Sequence, residues 1–140
     1  MNKITISVPS SVANVSCGFD VLGFCLEEPC DEMTVKIRKK EGLDIKIING
    51  KSIPTDPQKN VCGPVAFSMI KRLNLKYGFD ITIVKKINPG SGIGSSAASA
   101  AGTAFAINCL TGNKFSKLEL VNFAMLGEEI ASGTKHADNL

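Results

Sequence analysis

The stretch Asn88–Gly102 reads NPGSGIGSSAASAAG. Gly90, Gly92 and Gly94 stand on alternate positions, and Ser95 to Ala101 is serine and alanine throughout. Ahead of it, Phe79, Ile81 and Ile83 alternate with Asp80 and Thr82, which predicts a strand. Behind it a helix is predicted from about Gly94 to Leu110, broken by Thr111-Gly112-Asn113. A strand, a glycine loop and a helix in that order form an anion site. The first N–H groups of the helix have no intrahelical acceptor, and the helix dipole favours negative charge there. Glycines let the backbone curl around a phosphate without a Cβ in the way. Ser95, Ser96 and Ser99 add hydroxyls. The spacing alone leaves a second reading open: a small-residue helix packed tightly against a neighbour.

Two common nucleotide motifs fit poorly. The P-loop pattern needs a lysine after its last glycine, where this chain has Ser95. The dinucleotide fingerprint can be started at Gly92 and ended on Ala97, but its fold needs a strand after the helix. Here Ser116 and Glu119 form a capping-box pattern, so a further helix follows, with Gly133 as its stop.

Upstream, Ile4, Ile6 and Val8 predict a strand stopped by Pro9. Val21 to Leu26 predicts a second, and Met33, Val35 and Ile37 a third. After a turn at Gly42, Ile45 and Ile47 begin a partner strand, with a hairpin signal at Asn49-Gly50. Val65, Ala66, Met69, Ile70 and Leu73 give one apolar face to a helix starting between Asn60 and Pro64. Strands first, then helices mixed with one strand, read as α+β with a mostly antiparallel sheet.

At 140 residues the chain has the length of one ordinary domain. Its 44% hydrophobic and 21% charged content is that of a globular protein, and a net charge of +3 points away from a nucleic-acid binder. Lys39-Lys40 and Lys85-Lys86 read as solvated strand ends. No stretch reads as a membrane span or a leader, so a cytoplasmic address is expected. The five cysteines include no C-x-x-C pair, and His136 is the one histidine. A disulfide framework, a zinc site and a Cys17–His136 nucleophilic pair are all disfavoured.

Pro89-Gly90-Ser91-Gly92-Ile93-Gly94-Ser95-Ser96-Ala97-Ala98 resembles the phosphate-loop motif of the GHMP kinases, P-x-x-x-G-[LI]-G-S-S-A, from Gly92 onward. Asn88 takes the family's proline position, and Pro89 comes one residue later. Pro9 to Gly23 (PSSVANVSCGFDVLG) resembles the pattern P-A-T-S-A-N-L-G-x-G-F-D-x-L-G of the homoserine kinases within that family, departing most clearly at Val12 and Ser16. Lys135-His136-Ala137-Asp138-Asn139 resembles their K-H-A-D-N segment. Those enzymes are roughly twice as long, so the chain looks like an N-terminal half without the C-terminal GHMP domain. The polar tail from Lys135 to Leu140 looks like an interior loop cut short.

The resemblance implies a left-handed β-α-β arrangement shared with the second domain of a ribosomal protein. It implies an ATP-binding domain over residues 1–140 and transfer of the ATP γ-phosphoryl to L-homoserine in threonine biosynthesis, by a full-length homodimer. It places Pro89, Gly90, Ser91, Gly92, Ile93, Gly94, Ser95, Ser96 and Ala97 around the triphosphate and Asn60 at the adenine. It assigns Mg2+ to Ser96 and Glu128, rather than Glu129. It brings Asn14 to the homoserine hydroxyl, Asp20 to the ammonium as a positioning group or base, and His136 and Asp138 to the same pocket. On the residues alone, Asn60 reads equally as a helix cap and Glu128 as a solvated helix residue. A carboxylate substrate is best held by arginine, yet Arg38 and Arg72 lie in no motif. The clamp is therefore expected from beyond the chain, leaving these residues alone weakly active or inactive. The alternatives are another GHMP small-molecule kinase, or a non-catalytic nucleotide- or RNA-binding module.

Overall fold

The computed structural model describes residues 1–133 and 139–140, with the backbone alone at 19, 20, 131 and 132. Strands β1 (Lys3–Val15) and β2 (Gly18–Arg38) form a long antiparallel hairpin. They are followed by β3 (Leu43–Ile48), α1 (Cys62–Leu73), β4 (Gly78–Val84), α2 (Ser95–Leu110) and α3 (Lys117–Ser132). The sheet order is β1-β2-β4-β3. β2 pairs antiparallel with both β1 and β4, and β3 runs parallel to β4. The architecture is α+β with a mostly antiparallel sheet, as the sequence pattern predicts.

Three local expectations are corrected. β1 continues through Pro9, because β1 is an edge strand and an exposed proline there interrupts no ladder on a further side. The second and third predicted strands are one strand, β2, whose pairing with β1 shifts register between Pro9 and Ser11. β3 does not return on β2 as a hairpin. β4 occupies that edge of β2 instead, and α1 carries the chain from β3 across to β4. Gly78 makes this possible: a Cβ there would lie 1.9 Å from Gly42 O, and Phe79 N–H donates to that carbonyl at 3.1 Å.

The core lies between sheet and helices. Met33, Val35, Phe79, Ile81 and Ile83 supply the sheet side, and Val65, Ala66, Met69 and Ile107 the helix side. α2 sits at the centre, in contact with α1, α3, β1 and β2. Its small residues are what let neighbours approach. A Cβ on Gly102 would lie 2.8 Å from Val8 Cγ2, and one on Gly127 of α3 would lie 2.9 Å from Ala100 Cβ. The tight-packing reading of the alanine run therefore holds for α2, alongside a glycine loop that does something else. The start of α3 is held by the predicted capping box: Ser116 Oγ accepts from Glu119 N–H while the Glu119 carboxylate accepts from Ser116 N–H. No described helix is long and apolar enough to cross a membrane.

Candidate active site

The glycine loop joins β4 to α2 and has two different sides. Gly90, Gly92 and Gly94 all have left-handed backbones, with φ of +76°, +76° and +71°. A Cβ on Gly90 or Gly92 would meet nothing within 4 Å. Both face a cavity of about 490 Å³. The other side is docked on β1. Ser11 N–H donates to Ile93 O at 3.1 Å, and a Cβ on Gly94 would lie 2.7 Å from Ser11 Oγ. Ser11 Oγ in turn donates to Asn139 O at 2.9 Å, and Leu140 packs against the core. The last two residues of the tail thus belong to the folded unit.

Gly94, the N-cap of α2, lines the cavity together with Ser95 and Ser96 of its first turn, at the helix end whose first N–H groups have no intrahelical acceptor. Ile47, Ile53, Pro54 and Val61 provide an apolar wall, and Glu128 of α3 closes another side. Asn60 is 3% exposed and lines the same wall. Its Nδ2 donates to Pro54 O at 2.6 Å and its Oδ1 accepts from Cys62 N–H at 2.9 Å, so it ties the wall loop to the start of α1. The N-cap position itself is Val61, one residue later than the sequence suggests.

Ser96 and Glu128 therefore border one space, while Glu129 is exposed and lies off its lining. A hydroxyl and a carboxylate are hard oxygen donors that suit Mg2+, an ion that keeps waters and shares phosphate oxygens rather than needing a protein cage. Among the described residues no three His, Cys, Asp or Glu side chains gather to hold a metal by themselves. The donor set fits an ion bound together with a polyphosphate.

Pro89 joins Gly90, Gly92, Gly94, Ser95 and Ser96 on the cavity lining. Ser91 and Ile93 do not, and Ala97 is fully buried. Asn14 is exposed, with a left-handed backbone at the hairpin bend, and is not on the lining either. The side chain of Asp20, and His136 and Asp138, lie outside the described residues. Arg38 pairs with Asp80 at 3.4 Å, and neither Arg38 nor Arg72 borders the cavity.

Sequence reasoning missed Lys85. It was expected at a solvated strand end, but it is 5% exposed and ion-paired with Asp31. The signal was present in the parity of β4. Ile81, Ile83, Lys85 and Ile87 alternate, and all four point inward. Cys62 is buried under α2, where desolvation pushes its thiol up to about 11. That suits a packing residue, not a nucleophile.

Residues 61–140 match the family model described as the GHMP kinases N terminal domain. The chain is 43% identical over 142 residues to a homoserine kinase of Methanococcus vannielii, covering 100% of this chain and 47% of that protein. A crystal structure of homoserine kinase from Cytophaga hutchinsonii superimposes with a TM-score of 0.92 at 42% identity, covering 99% of this chain and 45% of the other. A mevalonate kinase of Methanococcus jannaschii shares the fold, with a TM-score of 0.75 at 18% identity. The chain spans about half the length of the curated relatives it matches.

Proposed function

This chain belongs to the GHMP kinases, as their N-terminal domain, and on that premise we propose that it is the ATP-binding part of a homoserine kinase. The reaction moves the γ-phosphoryl of ATP onto the side-chain hydroxyl oxygen of L-homoserine, releasing ADP and giving O-phospho-L-homoserine. The observation that carries this reading is the shared cavity of the open loop glycines, Ser96 and Glu128.

Phosphoryl transfer passes through a loose transition state, so the protein's work is positioning and charge stabilisation. The backbone from Gly90 to Ser96 holds the triphosphate with amides fixed before the ligand arrives. The apolar wall of Ile47, Ile53, Pro54 and Val61 takes the adenine, with Asn60 at its edge. Ser96 and Glu128 would hold Mg2+, which would supply charge neutralisation at the phosphate oxygens. Asn14 and Asp20 orient the homoserine hydroxyl and ammonium, and His136 and Asp138 complete that pocket. Little deprotonation is needed before attack, so Asp20 positions the substrate. The carboxylate of homoserine is held by arginine from outside these residues.

The test is ADP release by the intact protein with homoserine, mevalonate or shikimate as acceptor. Release with homoserine alone is expected, and these 140 residues by themselves should bind MgATP weakly and turn over little or not at all. Preference for another acceptor moves the protein elsewhere in the family. Absence of nucleotide binding together with salt-sensitive RNA binding would replace the kinase reading.

A further inference from the structure

Directly beneath the loop lies a buried polar cluster to which the proposed reaction gives no part. Asp31 of β2 is 1% exposed. Its Oδ1 accepts from Lys86 N–H at 2.7 Å and Ile87 N–H at 2.9 Å, and its Oδ2 pairs with Lys85 Nζ. Lys85 Nζ also donates to Ser95 O and to Ser99 Oγ, each at 3.3 Å. Ser95 Oγ donates back to Ile87 O at 3.2 Å.

These bonds close a ring: Asp31 to Ile87, Ile87 to Ser95, Ser95 to Lys85, Lys85 to Asp31. Ile87 and Ser95 are the two residues that bracket loop 88–94. The ring therefore fixes both ends of the loop to β2 from below. An ammonium has three N–H groups, and all three of Lys85 have internal acceptors. Although Lys85 borders the cavity, it has no N–H left for a ligand, and its charge is matched by a carboxylate in contact.

We infer that Asp31 and Lys85 are positioning residues: a closed polar ring under the glycine loop sets Ile87 and Ser95 so that the loop amides stand ready for a polyphosphate. Lys85 acts within the protein and not on the phosphates. The ligand named here rests on the proposed nucleotide reading; the ring does not. A buried network with every member satisfied rigidifies what it holds, and pre-set amides need no reorganisation on binding.

The rival is that Lys85 turns outward to bind phosphate, and the two ideas predict opposite signs. Asp31→Asn in the intact protein would leave a rival Lys85 uncompensated and tighten ADP. The ring predicts that ADP binding weakens by about tenfold or more, in the range found when an outer-shell partner of a binding group is removed. Binding of adenosine, which lacks phosphates, should change by less than about twofold. Lys85→Met should weaken ADP as well. Adding it to Asp31→Asn should cost less than the two single effects combined, because one ring is already open.

Hydrogen exchange without ligand supplies a readout that the kinase reading cannot affect. Amides from 87 to 95 should exchange faster in Asp31→Asn than in the wild type, while Asp80→Asn, at the exposed Arg38 pair, should change nothing there. If Asp31→Asn fails to fold, Ser95→Ala opens the same ring without stranding a charge, and its exchange at 87–95 decides. Unchanged or tighter ADP binding by a folded Asp31→Asn overturns the ring, and so does unchanged exchange at 87–95. If the wild type binds neither ADP nor adenosine, the proposed function falls, and exchange alone judges the ring.

Discussion

A Cβ on Gly94 would fall 2.7 Å from Ser11 Oγ, so the third glycine of the loop is locked to β1 where the first two face open space. An open glycine and the locked one should then fail differently. Gly92→Ala forces an L-residue to a left-handed backbone and should cost about 1–2 kcal/mol of stability. Its larger effect should be on ligand binding, since the new methyl projects toward the cavity. Gly94→Ala adds a clash in the Ser11–Asn139 contact and should cost about 2–4 kcal/mol. Urea midpoints and nucleotide titrations on the two variants separate these outcomes.

The loop was legible because its chemistry is local: alternate glycines and a helix start of serine and alanine alone announce themselves within fifteen residues. The Ser116–Glu119 cap was legible for the same reason. Pairing was not. β3 and β4 are joined by α1, and no residue near Gly42 or Asn49 records that β4 will fill the edge of β2. Ser96 and Glu128 meet only through the packing of α3 on α2, so their association came from family resemblance and not from spacing. Lys85 was misread because a Lys-Lys pair looks solvated, and its buried partner, Asp31, is far away in the chain.

Ser96 and Glu128 should be needed for phosphoryl transfer and dispensable for folding. Ser96→Ala and Glu128→Gln are each expected to lower kcat of the intact protein by about a hundredfold or more, the scale for loss of one preorganised charge-stabilising group. Glu129→Gln, off the cavity, should stay within about twofold of the wild type. Initial rates across a Mg2+ titration make the comparison. A weaker apparent Mg2+ affinity in the first two variants, and not in the third, is the expected signature.

The capping box gives a stability test away from the site. Ser116→Ala removes the acceptor for Glu119 N–H and should cost about 1 kcal/mol, read from thermal or urea unfolding. The Glu119 carboxyl is held below its ordinary range by hydrogen bonds from Ser116 backbone and hydroxyl. A lowered carboxyl favours the fold above the unfolded-state pKa and loses that contribution as pH falls through the folded one. Glu119→Ala should therefore flatten the acid limb of the stability curve. An unchanged limb would mean that the cap does not couple to protonation.

Cys62 predicts the behaviour of the alkaline limb. Its thiol is raised from 9.0 to about 11 because burial beneath α2 disfavours the thiolate. A raised folded-state pKa leaves stability intact below the unfolded value and erodes it as pH climbs toward the folded one. Between pH 9 and 11 the wild type should lose about 2–3 kcal/mol through this one group. Cys62→Ala removes that slope, at the cost of a small cavity, so its stability should cross toward the wild type's as pH rises. Alkylation reports the same asymmetry directly. Cys17 and Cys25 are exposed and should react with iodoacetamide at pH 8, while Cys62 should react only in urea. Peptide mass mapping after timed alkylation distinguishes them, and labelling of Cys62 at the rate of Cys17 in native buffer would show that α2 does not shield it.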